Sequence, residues 1–257
     1  MTARKGFRSV WSVALLIACL SLRGQGIEAV LVERYHVIGS DTPGVAPVVT
    51  YRIFLDLAPG YSLLSVFGEK DRHLFFRTST RFFNDTVNGG SAGERIEADL
   101  LGHFPLALDS WLAFGFATNA HKAVPLHLDV DGSVLHKPRG RKGAKDYGKE
   151  LYRTDGLMPA RQVPEVMKLY FSTSYLEKLD GGLLETTVGA YGVMGSVAGA
   201  TDENMVLVAQ LTTDGELSYG INVAVRAPDG GIQKYLGYPA TAADEVELPA
   251  LRKGRPF

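Results

Sequence analysis

The chain has 257 residues, of which 46% are hydrophobic, with 27 basic and 28 acidic residues. A chain of this length suits one large β domain or two small ones. Its charge, which is mildly acidic once the basic N-terminal segment described next is removed, argues against nucleic acid as the main partner. The only cysteine is Cys19, so no internal disulfide can form and the core must stabilise the fold.

The N-terminal segment has the pattern of a secretory signal peptide. Basic residues up to Arg8 precede an apolar run from Val10 to Leu22, which Arg23 ends. A basic region followed by about 7–15 apolar residues is the form of such a signal, and a membrane span needs ~20 apolar residues. We predict that residues 1–26 are removed on export. That segment holds four basic and no acidic residues, which leaves 23 basic against 28 acidic residues and makes the mature chain mildly acidic.

Two processing sites compete within this segment. Gly24 and Gly26 have the spacing of small residues that signal peptidase accepts, which places the mature N-terminus near Ile27. Residues 16–19 read Leu-Ile-Ala-Cys, a lipobox, and would make Cys19 a lipid anchor. The apolar run continues past Cys19, which favours a soluble product that is secreted or held at the cell surface or in the periplasm. Membrane attachment is expected only if Cys19 is lipidated.

Period-two alternation of apolar residues predicts the first strands. Apolar and polar residues alternate from Val49 to Leu57, with Phe54 as the exception. Such alternation is typical of a strand with one buried face, so Arg52 and its polar neighbours are predicted to point away from the core. A turn at residues 58–60 leads into the next alternating stretch.

The clearest predicted hairpin lies in the second half of the chain. Residues 205–211 and 217–225 alternate and flank the turn dipeptide Asp214-Gly215. Further strands are predicted at residues 29–38, 61–67, 73–80, 108–117, 124–130, 133–136, 184–197 and 231–236. With 29 glycines in the chain, this pattern predicts an antiparallel, jelly-roll-like β-sandwich with one or two short helices.

We predict a single β-sandwich domain over residues 27–240. Helix is confined to residues 94–101 and 164–179, and the second stretch could equally form a strand. Residues 136–153 are a basic, glycine-containing insertion, predicted to be a solvated loop, with a patch for an acidic glycan or lipid head groups as the alternative. Residues 241–257 are predicted to be a C-terminal tail.

One segment matches a catalytic pattern. Residues 89–93 read Gly-Gly-Ser-Ala-Gly, the G-x-S-x-G motif of a nucleophile elbow centred on Ser91. The elbow requires a strand before the serine, whereas a polar loop precedes it here, so a glycine-rich loop is the favoured interpretation. The alternative function is a hydrolase of extracellular polysaccharides or esters. Its candidate groups are Ser91 and the carboxylates of Asp99, Asp109, Asp129 and Asp131.

Asp129 and Asp131 are the candidate metal ligands. Two carboxylates one residue apart, followed by Gly132, could offer oxygens to calcium. An EF-hand loop would need a third ligand and a distal glutamate, which are missing, and a hairpin turn explains the same residues more simply. No cofactor is required by the sequence, and calcium is the one candidate.

Three aromatic residues, Phe82, Phe83 and Trp111, are candidates for a ligand surface, with a place in the core as the competing interpretation. Residues 84–86 read Asn-Asp-Thr, which is an N-glycosylation sequon, and Thr86 also lies in a short bacterial O-glycosylation pattern. Such short patterns indicate an exposed loop.

Six segments in a fixed order resemble a module of exported proteins from Bacteroidota-type bacteria. The resemblance rests on residues 48–61, 65–68, 80–84, 108–111, 155–158 and 206–215. Such modules often stand beside a type IX secretion sorting domain, which is not evident here after Tyr238, and the family has no assigned activity. The resemblance implies an exported β module and transfers no catalytic residue.

Together, these patterns predict an exported bacterial protein that is a non-enzymatic binding module or an envelope-associated component. The expected partner is a glycan or another surface protein. Fold alone does not distinguish these functions from the hydrolase alternative.

Overall fold

A computed structural model describes residues 25–39, 46–101, 104–132, 154–170, 172 and 181–254. The predicted signal up to residue 24, including Cys19, lies outside the described residues. So do the strand predicted at 133–136 and the basic insertion at 136–153.

The described residues form a mainly β fold, which confirms the predicted fold class. Its strands are β1 Ile27–Ile38, β2 Val48–Leu57, β3 Ser62–Phe67, β4 Leu74–Thr78, β5 Trp111–Leu112, β6 His121–Ala123, β7 Leu157–Pro159, β8 Val166–Leu169, β9 Leu183–Thr186, β10 Ala190–Val197, β11 Met205–Thr213, β12 Leu217–Gly220, β13 Asn222–Arg226, β14 Ile232–Leu236, β15 Glu245–Glu247 and β16 Arg252–Lys253. The one α-helix among the described residues is α1, Phe104–Ala107. Short 3-10 turns lie at Gly93–Arg95, Ala98–Leu100, Leu126–Leu128 and Pro249–Leu251.

The strands form two main layers. The first is the sheet β1-β2-β11-β5, and the second combines the sheets β15-β14-β13-β3-β10-β8 and β16-β12-β4-β9. Strands β6 and β7 pair separately. All these pairings are antiparallel except the one between β14 and β15. A large apolar cluster, with Leu55 and Val208 from the first layer and Val66 and Phe76 from the second, fills the space between the layers, as expected for a β-sandwich.

The hairpin predicted around Asp214-Gly215 is wrong. Strand β11 pairs with β2 and β5 in the first layer, whereas β12 pairs with β4 and β16 in the second. The turn therefore crosses from one layer to the other. The strand predicted at 217–225 is also divided, because β12 ends at Gly220 and β13 begins at Asn222 in the neighbouring sheet.

The predicted exposed face of β2 is buried. Thr50 and Arg52 are each 1% exposed, because a second apolar cluster covers that side of the first layer. This cluster contains Phe54, Trp111 and Leu207 and is built mainly from residues 96–123. It explains why Phe54 breaks the alternation: it faces the second cluster while its apolar neighbours face the first.

Helix and strand predictions failed between residues 94 and 130. The helix predicted at 94–101 is two 3-10 turns, and the strand predicted at 108–117 is reduced to Trp111–Leu112. The strand predicted at 124–130 contains the 3-10 turn Leu126–Leu128 instead. Of the ambiguous stretch 164–179, residues 166–169 form the strand β8. These segments cover the second cluster with irregular backbone, which periodicity cannot predict.

Residues 241–254 belong to the domain, so the prediction of a tail from residue 241 is wrong. Strand β15 adds in parallel to β14, and β16 pairs with β12. Leu251 is fully buried. Glu245 accepts a hydrogen bond from Arg72 at 2.7 Å, which ties this segment to the turn before β4.

Gly26, the last residue of the predicted signal, is also packed in the domain. Its backbone N–H donates to the Tyr235 hydroxyl at 2.5 Å, and its carbonyl accepts from the amide of Ala58. A Cβ at this position would lie 2.6 Å from the ring of Tyr61, so the close packing requires glycine. A chain starting at Ile27 would lose these contacts.

Candidate functional site

The predicted aromatic ligand surface does not form. Phe82 and Trp111 are 2% and 0% exposed, so they belong to the core, as the competing interpretation held. Phe83, at 37% exposed, is the one member of the three whose side chain reaches the surface. In the adjacent loop, Thr86 is exposed whereas Asn84 is buried, so the hydroxyl is open to modification and the sequon's asparagine is not.

Asp109 organises the loop that follows Asn84. Its carboxylate accepts hydrogen bonds from the backbone N–H groups of Asp85 at 2.8 Å and Gly90 at 3.1 Å. A Cβ on Gly89 would lie 2.3 Å from this carboxylate. Burial raises the pKa of Asp109 to about 7, against the opposing effect of its backbone hydrogen bonds. These contacts give the side chain a structural role.

Ser91 lies in a polar cluster next to β8. Its hydroxyl accepts a hydrogen bond from Lys168 Nζ at 2.8 Å, and the residue is 2% exposed. Ser91 lies at a bend that follows a turn at residues 86–88, whereas a nucleophile elbow follows a strand. Ser91 lines neither of the two main cavities in the described part of the chain.

Glu94 is the second buried polar group of this cluster. Its side chain is 5% exposed, and neither carboxylate oxygen has a hydrogen bond of ordinary geometry among the described residues. Burial raises the pKa of Glu94 above its ordinary value, while nearby backbone amides and the charges of Arg95 and Lys168 partly offset this effect. The protonated form is favoured in such an environment.

The remaining candidate acids do not come together. Asp99 and Asp131 are exposed, and Asp129 uses one oxygen to accept the Gly156 backbone N–H at 2.9 Å. No group of three His, Cys, Asp or Glu side chains in the described part of the chain could hold a metal ion. Asp129 and Asp131 therefore gain no third ligand from the described residues.

A buried arginine was missed by the sequence analysis. Arg52 donates from Nε to the amide oxygen of Gln210 at 2.8 Å and from Nη1 to the carbonyl of Gly156 at 3.2 Å. Its guanidinium lies 3.5 Å from the centre of the Tyr35 ring. Gln210 in turn donates to the carbonyls of Ala107 and Asp109. This network joins β2 and β11 to the segments that cover the first layer, which is a structural role.

One concave feature of the described residues is an open groove of about 650 Å³. Three separate segments line it: Phe116 and Lys122, residues 162–164, and the end of β10 with Val193, Met194 and residues 196–198. Apolar and polar surfaces contribute almost equally to its walls. Groups this far apart in sequence cannot be associated by spacing alone, so no sequence motif indicated the groove.

A bulge in β10 forms one wall of the groove. The pairing of β10 with β3 is interrupted between Gly192 and Val197, and Gly195 has a φ of +98°, a conformation that favours glycine. Met194 is consequently 83% exposed, whereas Val193 and Val197 remain buried. The bulge thus turns a large apolar side chain outward beside the groove.

Lys122 supplies the charge in the groove. Its Nζ donates to the carbonyls of Ala198 at 2.8 Å and Gly199 at 3.2 Å, and it lies 5.9 Å from the centre of the Phe116 ring. Strand β6, which carries Lys122, is fixed by its pairing with β7. Burial lowers the pKa of Lys122 below its ordinary value.

Comparisons with known proteins add no identification. No protein-family model matches the chain, and no curated protein sequence or solved structure is significantly similar to it. The described part of the chain contains no helix long and apolar enough to cross a membrane. The strand pairings alone define the class of the protein, which is a mainly antiparallel β protein.

Proposed function

We propose that this protein is an exported, non-enzymatic binding module that holds an extended segment of another envelope or surface protein in the groove beside β10. The observation that carries the proposal is the groove itself, with Met194 83% exposed at its wall. Methionine adapts its shape to different partners and is common at peptide-binding surfaces. The export part of the proposal rests on the signal peptide predicted at residues 1–26.

A protein segment suits the groove better than a glycan. Its apolar walls come from aliphatic residues such as Val163 and Met194, whereas the one aromatic ring, Phe116, is 2% exposed and offers no platform. The wall at residues 162–164 leads directly into β8, the outer strand of its sheet. Met167 and Leu169 on this strand are 42% and 61% exposed. An outer strand with exposed apolar side chains is a surface to which extended peptides add.

The hydrolase alternative has less support. Ser91 is hydrogen-bonded to Lys168, but at 2% exposure its hydroxyl cannot meet a substrate. Asp109 is fully buried and holds a loop through two backbone amides. A nucleophile and general acid have to face a cavity that admits the substrate, and the groove is lined by neither residue.

The proposal is tested by screening the purified protein against a synthetic library of random dodecapeptides. We expect the wild type to select peptides rich in apolar residues. The variant Met194→Asp should weaken binding of these peptides roughly tenfold or more, because a buried methionine contributes about 1.5–3 kcal/mol.

Val87→Asp is the matched control, since Val87 is 85% exposed on a loop that does not line the groove. Both substitutions replace an exposed apolar side chain, so neither should change the melting temperature. Selection of no peptide by the wild type, or equal binding by both variants, would refute the proposal.

A further inference from the structure

We propose that Lys122 gives this groove a carboxylate subsite, so that the bound protein segment must carry an acidic side chain or its own C-terminal carboxylate beside apolar residues. This inference rests on the proposed function, because it names the chemistry that the groove selects.

Within the described ranges of the chain, Lys122 is the only charged residue that lines the groove. The other lining residues are aliphatic, aromatic or neutral and polar, among them Gln162 and Ser196. None of the lining residues that the structure describes is acidic, so none of them competes for the ammonium group or repels an anion. Among the described residues, the groove therefore has a single positive centre within a surface of mixed apolar and neutral polar character.

The ammonium group of Lys122 has capacity for another acceptor. A lysine ammonium carries three N–H donors and accepts no hydrogen bond. Two donors are satisfied by the carbonyls of Ala198 and Gly199. Lys122 forms no ion pair within the described part of the chain. An unneutralised ammonium with one donor left is complementary to a carboxylate oxygen.

The surroundings of Lys122 strengthen its attraction for an anion. Two carbonyls and the Phe116 ring fix the position of Nζ, so little side-chain entropy remains to be lost on binding. The partial burial that lowers the pKa of Lys122 also reduces screening by water. A bound carboxylate would raise that pKa again, because an opposite charge favours the ammonium form.

The position of Lys122 relative to the bulge predicts the composition of the ligand. Residues 196–198 follow the bulge at Met194, and the carbonyls of residues 198 and 199 hold the ammonium at the end of this wall. A segment that packs apolar side chains against Met194 would thus bring a nearby residue to Lys122. We expect one acidic group at a fixed distance from one or two aliphatic residues.

The test repeats the dodecapeptide selection with four forms of the protein: wild type, Lys122→Arg, Lys122→Met and Lys122→Glu. We expect wild type and Lys122→Arg to select apolar peptides with a carboxylate at a fixed position. Lys122→Met should lose this preference and bind the wild-type peptides about tenfold or more weakly, because a charged hydrogen bond contributes about 1.5–3 kcal/mol. Lys122→Glu should select basic peptides.

Synthetic versions of the selected peptides distinguish the two sources of the carboxylate, the chain terminus and an acidic side chain. Each selected peptide is made with a free and with an amidated C-terminus, and with Asp or Glu replaced by Asn or Gln. Loss of affinity on amidation assigns the chain terminus, and loss on side-chain replacement assigns the acidic residue. Lys70→Met is the matched control, because Lys70 is an exposed lysine away from the groove and its loss should change nothing.

The outcomes separate the two proposals. If the wild type selects no peptide, the proposed function fails. If it selects apolar peptides without a carboxylate preference, and Lys122→Met binds them equally well, the binding function stands and the carboxylate subsite is refuted. Misfolding of Lys122→Met cannot imitate the expected result, since Lys122→Glu must gain a new preference for basic peptides.

Discussion

Two carboxylates in different regions of the fold each hold a loop, yet their pKa values are shifted in opposite directions. Asp109 accepts the amides of Asp85 and Gly90 from a buried position, and its pKa is raised to about 7. Glu245 accepts the amides of Thr241 and Ala242 and also the Arg72 guanidinium, and its pKa is lowered to about 2.

The difference between the two regions comes from burial and from the counterion. Asp109 is fully buried, so desolvation dominates its pKa, whereas Glu245 is only partly buried and has a guanidinium beside it. Both carboxylates have two backbone donors, but only Glu245 has a guanidinium within 2.7 Å. Backbone amides do not offset the desolvation of Asp109, whereas Arg72 more than offsets that of Glu245. Backbone amides therefore do not prevent a raised pKa at the fully buried Asp109, whereas a guanidinium and backbone amides together depress the pKa of the partly buried Glu245.

The largest expected effect follows from removing the buried acceptor. Asp109→Ala leaves the Asp85 and Gly90 amides without their partner and should lower the free energy of unfolding by about 2–4 kcal/mol. Urea denaturation measures this change. Asp99→Ala, at an exposed position, is the control and should stay near wild type. Equal stability of both variants would show that Asp109 does not hold the loop.

The pH dependence of Asp109 is the second test. Because its folded-state pKa lies above the ordinary value of 3.8, the folded protein binds this proton more tightly than the unfolded chain. The stability it contributes is complete below pH 3.8 and is lost as the pH rises through about 7. At about 1.36 kcal/mol per pKa unit, we expect a loss of up to about 4 kcal/mol. Urea titrations of wild type and Asp109→Asn across this range should differ in slope, and parallel curves would contradict the assignment.

A third region, around Gly26 before β1, tests how much backbone hydrogen bonds contribute to stability where no carboxylate is involved. A chain that begins at Ile27 lacks the bonds of Gly26 to Tyr235 and Ala58, and we expect it to be less stable by about 1–2 kcal/mol than one that begins at Gln25. Thermal denaturation of the two chains measures the difference. Mass spectrometry of the protein from its native cells then tests the proposed processing and identifies which start is used, including a start at a lipidated Cys19.

The smallest effect is expected at the C-terminal ion pair. Glu245→Gln removes the charge but keeps an acceptor for the neighbouring amides, so it should cost about 1 kcal/mol or less at neutral pH. Because the folded-state pKa of Glu245 is depressed, its contribution is present above pH 4.5 and is lost as the pH falls through about 2. The wild type and Glu245→Gln should therefore converge in acid, as monitored by thermal denaturation. A constant difference between them would exclude the ion pair as the cause.

The mainly β fold was predictable from the sequence, but its second apolar cluster was not. Alternation from Val49 to Leu57 predicted a strand correctly, yet it placed Arg52 outside, because polar side chains normally face water. Arg52 is buried since Gln210, two carbonyls and the Tyr35 ring satisfy it. Those partners are distant in sequence, so no local pattern predicts them.

The candidate site was beyond sequence analysis for a related reason. The groove combines Lys122, residues 162–164 and the bulge at Met194, and each segment alone resembles an ordinary loop or strand. The motifs considered for catalysis and calcium binding, around Ser91 and Asp129, are instead parts of hydrogen-bonded loops. Short motifs predict chemistry only when the fold places them at a cavity.

The place of β2 between β1 and β11 has a consequence for the order of folding. The sheet cannot be completed until residues 205–213 are available to pair with β2, and the Gly26 amide finds its acceptor only at Tyr235. Contacts of such long sequence separation form late and fold slowly. The N-terminal half therefore lacks the partners it needs to bury Ile53 and Leu55 on its own. For the export proposed above, this connectivity implies that the chain would stay unfolded during passage through a membrane pore and would fold once its last strands had emerged.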